Sequence, residues 1–227
     1  EINPCIACNQ ACLDNIFARK IASCLMNPRA CYETEIPNAK TKKAAKVAVI
    51  GAGPAGLSFG VEAARLGHQV TIFERRAEFG GQFEFARRIP GKEEFNEPIR
   101  YYQTMIEKYG VELRLNTEAR ADDLKAGGYD AVVVAAGVRP RMIPLLEKAR
   151  AEKDSRVVAY DELISGKVKP GERIAIIGAG GIGFDVAAFL EAPRERSLSL
   201  DPKSFFEHWG IDYHARGGIE EVKPHPL

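Results

Sequence analysis

A chain of 227 residues, 45% of them hydrophobic, is long enough for one or two domains with real cores. A formal charge of +1 gives no basis for electrostatic binding to nucleic acid or a membrane surface. The longest apolar runs, such as Ala131–Val138, fall far short of a bilayer span and no secretory pattern opens the chain, so a cytoplasmic location is expected.

All five cysteines lie within the first 31 residues, so residues 1–36 read as a segment with a local need for sulfur. Cys5, Cys8, Cys12 and Cys24 follow the spacing C-x2-C-x3-C-x11-C, three ligands close together and one remote. That spacing favours a [4Fe–4S] cluster. Zinc is the rival, although its sites usually carry two C-x2-C knuckles. A disulfide framework would leave one cysteine over in a chain that does not look secreted. Cys31 reads as a spare thiol. Residues 37–46 form a basic linker whose lysines suit solvent better than a nucleic-acid arm.

An alternating α/β pattern then begins. Lys46–Ile50 predicts a buried strand, about Ala55–Leu66 a helix closed by Gly67, and His68–Phe73 a second strand. Between the first strand and its helix stands Gly51-Ala-Gly53-Pro54-Ala55-Gly56. Its glycines suit a tight turn, a close approach of backbone to pyrophosphate, and close helix–strand packing. Glu74 closes the second strand 18 residues after Gly56, where a carboxylate can bind ribose hydroxyls. The Gly80–Gly81 pair, and a strand over Tyr129–Ala135 that runs into Gly137, suggest further close approaches to a large dinucleotide, favouring FAD over NAD. Glu93–Tyr109 predicts a helix and Val111–Leu115 a strand.

After Pro170–Gly171, Arg173–Ile177 predicts a strand that repeats the opening of the fold, and Gly178-Ala-Gly180-Gly-Ile-Gly183 follows as a second fingerprint. Two such openings suit an enzyme that passes electrons from a nicotinamide to a flavin. Asp201 has the same 18-residue offset from Gly183, but its surroundings make a poor strand, which argues against a ribose role. From about Arg194 no strand–helix unit is convincing, and His208, Trp209, Asp212, Tyr213 and His214 read as a packing loop. The fold class is therefore α/β: a Rossmann-like FAD-binding parallel sheet, preceded by a cysteine segment and followed by the start of a second Rossmann-like domain. The expected divisions are 1–36, 37–46, 47–165 and 166–227.

The stretches "CIACNQACLD", "SCLMNPRACYET", "VIGAGPAGL", "GGQFEFARRIPGKEEF", "IIGAGGIGFD" and "EHWGID" together resemble the iron–sulfur flavoenzymes of the bacterial NADPH-dependent 2,4-dienoyl-CoA reductase and trimethylamine dehydrogenase family. The resemblance covers essentially the whole chain, and the cysteine spacing is more similar to the reductase branch. It implies an oxidoreductase acting on CH–CH groups, with electrons passing from NADPH to FAD, to the [4Fe–4S] cluster, to FMN and on to a dienoyl-CoA in fatty acid β-oxidation. FMN and the substrate site would belong to a TIM barrel of the same full-length protein, so this chain is expected to be its central piece, with no catalytic residue of its own. The resemblance also implies that Gln10 touches FAD, that Ala55, Glu74, Gln82 and Lys92 line its site, and that the backbone at Ala119 meets the adenine end. An enoate reductase, an amine dehydrogenase-like enzyme and a stand-alone electron-transfer module remain open as alternatives. Arg87 and Arg88 read as solvated surface.

Overall fold

The computed structural model describes residues 1–36, 38–191, 200–212 and 214. The chain divides into two compact units, the first comprising Glu1–Arg87 with Glu94–Arg139, the second Arg88–Glu93 with Pro140–Leu227.

In the first unit a short helix, α1 (Leu13–Phe17), lies in the cysteine segment. Strand β1 (Lys46–Ile50) then leads into helix α2 (Pro54–Arg65) and strand β2 (Gln69–Phe73). A turn of helix, α3 (Phe83–Ala86), and a 3-10 turn (Glu93–Phe95) precede α4 (Asn96–Tyr109). Strand β3 (Glu112–Arg114), helix α5 (Ala121–Ala126) and strand β4 (Ala131–Val134) complete the unit. The sheet runs β3-β2-β1-β4, and β1 pairs in parallel with both β2 and β4, as β2 does with β3. The expected parallel α/β sheet is therefore present.

Its centre is buried on both faces. Val47, Ala48 and Val49 are consecutive, so they point alternately to the two sides, and all three are enclosed. Helix α2 closes one side. Leu57, fully buried, joins Val61, Val70 and Ile72 in a core that also takes Tyr102, Met105 and Ile106 from α4. A Cβ on Gly60 would come within 2.7 Å of Ile72 Cδ1, so this glycine lets α2 lie directly on β2. Gly110, in a left-handed conformation, ends α4.

Two expectations need correction. The Tyr129–Ala135 strand exists as β4, but it is not buried: Val132 is 45% and Val134 74% exposed. It has one strand neighbour among the described residues, β1, and sits at the sheet edge, where less of the fold covers it. Arg173–Ile177 is not a strand, and Ile174, Ile176 and Ile177 are exposed. A strand is held by its ladder, and no described residue of the second unit forms one.

The second unit is helical among its described residues, with α6 (Pro144–Ala151), α7 (Tyr160–Ile164), α8 (Gly181–Glu191) and α9 (Pro202–His208). Helices α7 and α8 pack together, with Leu163, Ile164 and Val186 among the buried residues of the unit. Helix α9 stands where no element was expected. Asp201 caps its first turn and Pro202 occupies its first position, a start signal legible in the sequence. The rest of the stretch beyond Arg194, including 194–199, Tyr213 and 215–227, lies outside the described residues. Among the described residues no helix is long and apolar enough to cross a membrane.

Candidate cofactor sites

Between Ile50 and Pro54 the chain must reverse from strand into helix. Gly51 makes the turn at φ 102°, a left-handed backbone that a side chain would strain. A Cβ there would also lie 2.4 Å from the Ala135 carbonyl oxygen, so the residues after β4 press directly on the turn. A Cβ on Gly56 would lie 1.9 Å from the Gly51 carbonyl oxygen, and α2 can meet the loop only because residue 56 has none. Gly53 differs: its nearest neighbour would be Gly81 Cα at 3.9 Å, which leaves bare backbone beside the start of α2. Gly53 caps that helix without a side chain, and Pro54 follows. The first amides of α2 thus lack a side-chain cap at an end whose dipole favours an anion such as a pyrophosphate.

Glu74, buried just past β2, faces this loop. One carboxylate oxygen accepts the Ala52 amide at 2.9 Å and the other accepts the Arg76 amide at 2.9 Å. These charge-assisted bonds fix an anionic acceptor beside the turn, the chemistry that ribose hydroxyls require. The Thr117 amide donates to the Glu74 carbonyl, which ties the backbone leading to Ala119 to the same point. On the other side, the Gly80 amide donates to the Ala52 carbonyl at 2.8 Å. A Cβ on Gly81 would lie 2.8 Å from Gly53 Cα. Gly51, Gly53, Gly56, Glu74 and Gly81 therefore form one constellation, and these residues fit a dinucleotide. Ala55 and Gln82 are exposed on the same two segments, and Gly137, at φ 70°, follows the Ala135–Ala136 contact.

The second fingerprint repeats this geometry in the second unit. Gly178 turns at φ 115°, and a Cβ on Gly183 would lie 2.2 Å from the Gly178 carbonyl oxygen. Gly180 has open space where a side chain would be. Lys92 belongs to this second unit, where its Nζ pairs with Asp185 Oδ1 at 2.6 Å. Sequence reasoning missed Asp185; the available signal was an acidic residue inside the otherwise apolar helix "GIGFDVAAFLE". Asp201 is engaged as the α9 cap, accepting the Ser204 amide at 3.2 Å. His208 and Trp209 pack edge to face at 5.4 Å.

In the cysteine segment, Ala7 and Asn9 take left-handed backbone angles that curl the chain between Cys5 and Cys12, and the Ala7 amide donates to Cys5 Sγ at 3.3 Å. Gln10 is exposed in the turn before α1. All five thiols are free, and Cys5, Cys8, Cys12 and Cys24 are exposed or half-buried. Among the described residues no group of three His, Cys, Asp or Glu side chains is gathered for a metal ion. The donor set, four thiols with an amide directed at one sulfur, fits a thiolate-bound cluster in its chemistry. The segment is fastened to α2 through Glu62, which lies 3.7 Å from Arg29 and accepts from Arg65 at 2.6 Å. The hydrogen bond from Arg65 holds the Glu62 carboxyl below its ordinary range.

The sequence pattern of the pyridine nucleotide-disulphide oxidoreductase family matches residues 23–127 and 45–198. A metal reductase of Desulforamulus reducens is 36% identical over 84% of the chain, and an NADH oxidase of Thermoanaerobacter brockii is 35% identical over 84%. A solved structure of 2-naphthoyl-CoA reductase with 2-naphthoyl-CoA superposes with a TM-score of 0.73 at 35% identity, over 82% of the chain and 28% of its own. The chain spans 28% and 30% of the lengths of the two curated relatives.

Proposed function

The chain belongs to the pyridine nucleotide-disulphide oxidoreductase family, whose members use FAD and NAD(P)H, and from that premise we propose that it is the electron-handling portion of an NADPH-dependent flavin/iron–sulfur oxidoreductase. The observation that carries this reading is the pair of glycine loops, each with its third glycine closed against the carbonyl of its first. The loop of Gly51, Gly53 and Gly56, with Glu74, holds FAD; the loop of Gly178, Gly180 and Gly183 holds NADPH. Cys5, Cys8, Cys12 and Cys24 hold a [4Fe–4S] cluster, with Gln10 beside it. When bound, these groups supply redox chemistry, with electrons of the nicotinamide hydride passing through FAD and the cluster to FMN.

What the chain's own residues contribute is placement. The α2 N-terminus neutralises the pyrophosphate, Glu74 orients the ribose, and Gly81 brings backbone against the loop. FMN and the substrate belong to a barrel domain of the same full-length protein in the cytoplasm. The substrate is a 2,4-dienoyl-CoA, a thioester whose conjugated carbon–carbon double bonds accept the electrons. The likeness to 2-naphthoyl-CoA reductase supports the CoA thioester class.

Anaerobic iron, sulfide and zinc analysis of the purified chain tests the cluster. About four irons and four sulfides per chain, lost in Cys12→Ser with FAD binding intact, are expected. One zinc and no sulfide after anaerobic reconstitution would overturn this electron path.

A further inference from the structure

Cys5, Cys8 and Cys12 are close along the chain, but Cys24 arrives from a later loop and needs its own means of placement. Two hydrogen bonds supply it, one on each side of the thiol. Before Cys24, the Ser23 amide donates to the Ala11 carbonyl at 2.7 Å, which sets the residue preceding Cys24 against the residue preceding Cys12. The Ser23 hydroxyl donates in turn to the Ala30 carbonyl at 2.9 Å and closes the loop that carries Cys24. After Cys24, Asn3 Nδ2 donates to the Met26 carbonyl at 3.0 Å, across 23 positions of sequence. Asn3 stands just before Cys5, and Met26 just after Cys24. Asn3 Oδ1 is buried and accepts no hydrogen bond among the described residues. Enclosing an unpaired amide oxygen is costly, so stability alone gives no reason for an asparagine at this point.

We propose that Asn3 is a positioning residue for the [4Fe–4S] cluster: it clasps the Cys24 loop to the Cys5 end of the segment, so that the remote thiol joins the other three. The Ser23 amide ties the loop through a backbone group that almost any residue would supply. The Asn3 bond, by contrast, depends on the identity of the side chain. With the loop fastened on both sides of Cys24, most of the entropy lost in bringing in a fourth ligand is already lost before the cluster binds. A partner beyond the ligands that orients one of them in this way tunes how firmly the centre is held. Without Asn3 the loop pivots about Ser23, and the iron held by Cys24 becomes the weakly held corner.

This inference rests on the cluster reading, and the test separates the two. The chain is reconstituted anaerobically with iron and sulfide, then oxidised mildly with ferricyanide. Asn3→Ala should lose one iron of about four roughly fivefold faster than wild type, the effect of one hydrogen bond. The product should show the electron paramagnetic signal of a [3Fe–4S] centre. Cys24→Ser should give the same signal, and adding Asn3→Ala to it should change nothing, because the clasp acts through Cys24. Hydrogen exchange in β1 and β2 should match wild type in every variant. A wild-type rate of iron loss in Asn3→Ala, loss of all its irons together, an added effect in the Cys24→Ser background, or faster exchange in β1 and β2 overturns the proposal. A wild-type chain that takes up no iron would defeat the cluster reading, and disulfide trapping of the apo chain with diamide would still decide the role of Asn3. Cys24 should then pair with Cys5, Cys8 or Cys12 about fivefold more slowly in Asn3→Ala, and an unchanged rate overturns the clasp.

Discussion

The two glycine loops share a backbone and differ in what stands beside it. At Gly51 and Gly178 the chain turns through similar left-handed angles, and Gly56 and Gly183 each leave room for the carbonyl of the first glycine. The first loop grows out of a strand paired on both sides, and it is braced by Ala135, Glu74 and Gly81. The second follows a segment, Arg173–Ile177, that makes no strand and exposes its isoleucines. The loop conformation is therefore a local property of glycine placement and the helix that follows. The strand before it is a collective property, formed only where neighbours supply a ladder.

The comparison is broken most severely by filling the close approaches. Gly56→Ala should abolish FAD retention, because its Cβ would overlap the Gly51 carbonyl and overpacking costs about 1–3 kcal/mol or more. Gly183→Ala should do the same to nicotinamide binding while FAD is retained. Cofactor titration of both variants separates the loops, and an unaffected Gly183→Ala would sink the symmetry between them.

Leu57→Ala, at a fully buried core position below the first loop, should destabilise that unit by about 2–5 kcal/mol in urea unfolding. Substituting Ile177→Ala in the exposed counterpart stretch should change stability by no more than about 0.5 kcal/mol. Equal losses would mean that Ile177 is buried in solution.

Glu74→Ala deprives the Ala52 and Arg76 amides of their acceptor. Leaving such donors unsatisfied costs about 1–3 kcal/mol, so FAD affinity should fall about tenfold or more in equilibrium titration. Unchanged affinity would remove Glu74 from the site. A small effect is also expected of Asp185→Asn. Its ion pair with Lys92 is partly solvent-exposed, and such pairs contribute about 0–1 kcal/mol, so unfolding should shift little. A large loss of stability would show that the pair carries more of the second unit than its exposure implies.

Much of the first loop was legible because each of its parts has a local signature. The β-branched runs at Lys46–Ile50 and Gln69–Phe73, the Gly-x-Gly-x-x-Gly turn and the terminal Glu74 occur at their expected places. What escaped were partners distant in sequence. Lys92 was expected beside the flavin, and the structure gives it Asp185, a residue 93 positions away. Glu84 had no role assigned from the sequence, and in the structure its carboxylate lies against Gly80 and Arg87. Helix α9 was not expected although Asp201 and Pro202 mark its start, because seven residues span too few turns to show a clear helical periodicity.

The sequence by itself determined local conformations: where the chain must turn with positive φ, where helix α2 begins, and which four thiols lie close along the chain. These follow from the covalent chemistry of each residue and its near neighbours, which no distant contact alters. Only the tertiary structure decided burial and pairing. It exposed the expected core strand at Ala131–Val134, left Arg173–Ile177 without a ladder, enclosed Glu84 and turned Glu74 toward Ala52. Those outcomes depend on which surfaces meet, and contact between segments far apart in the chain leaves no periodic trace in either one.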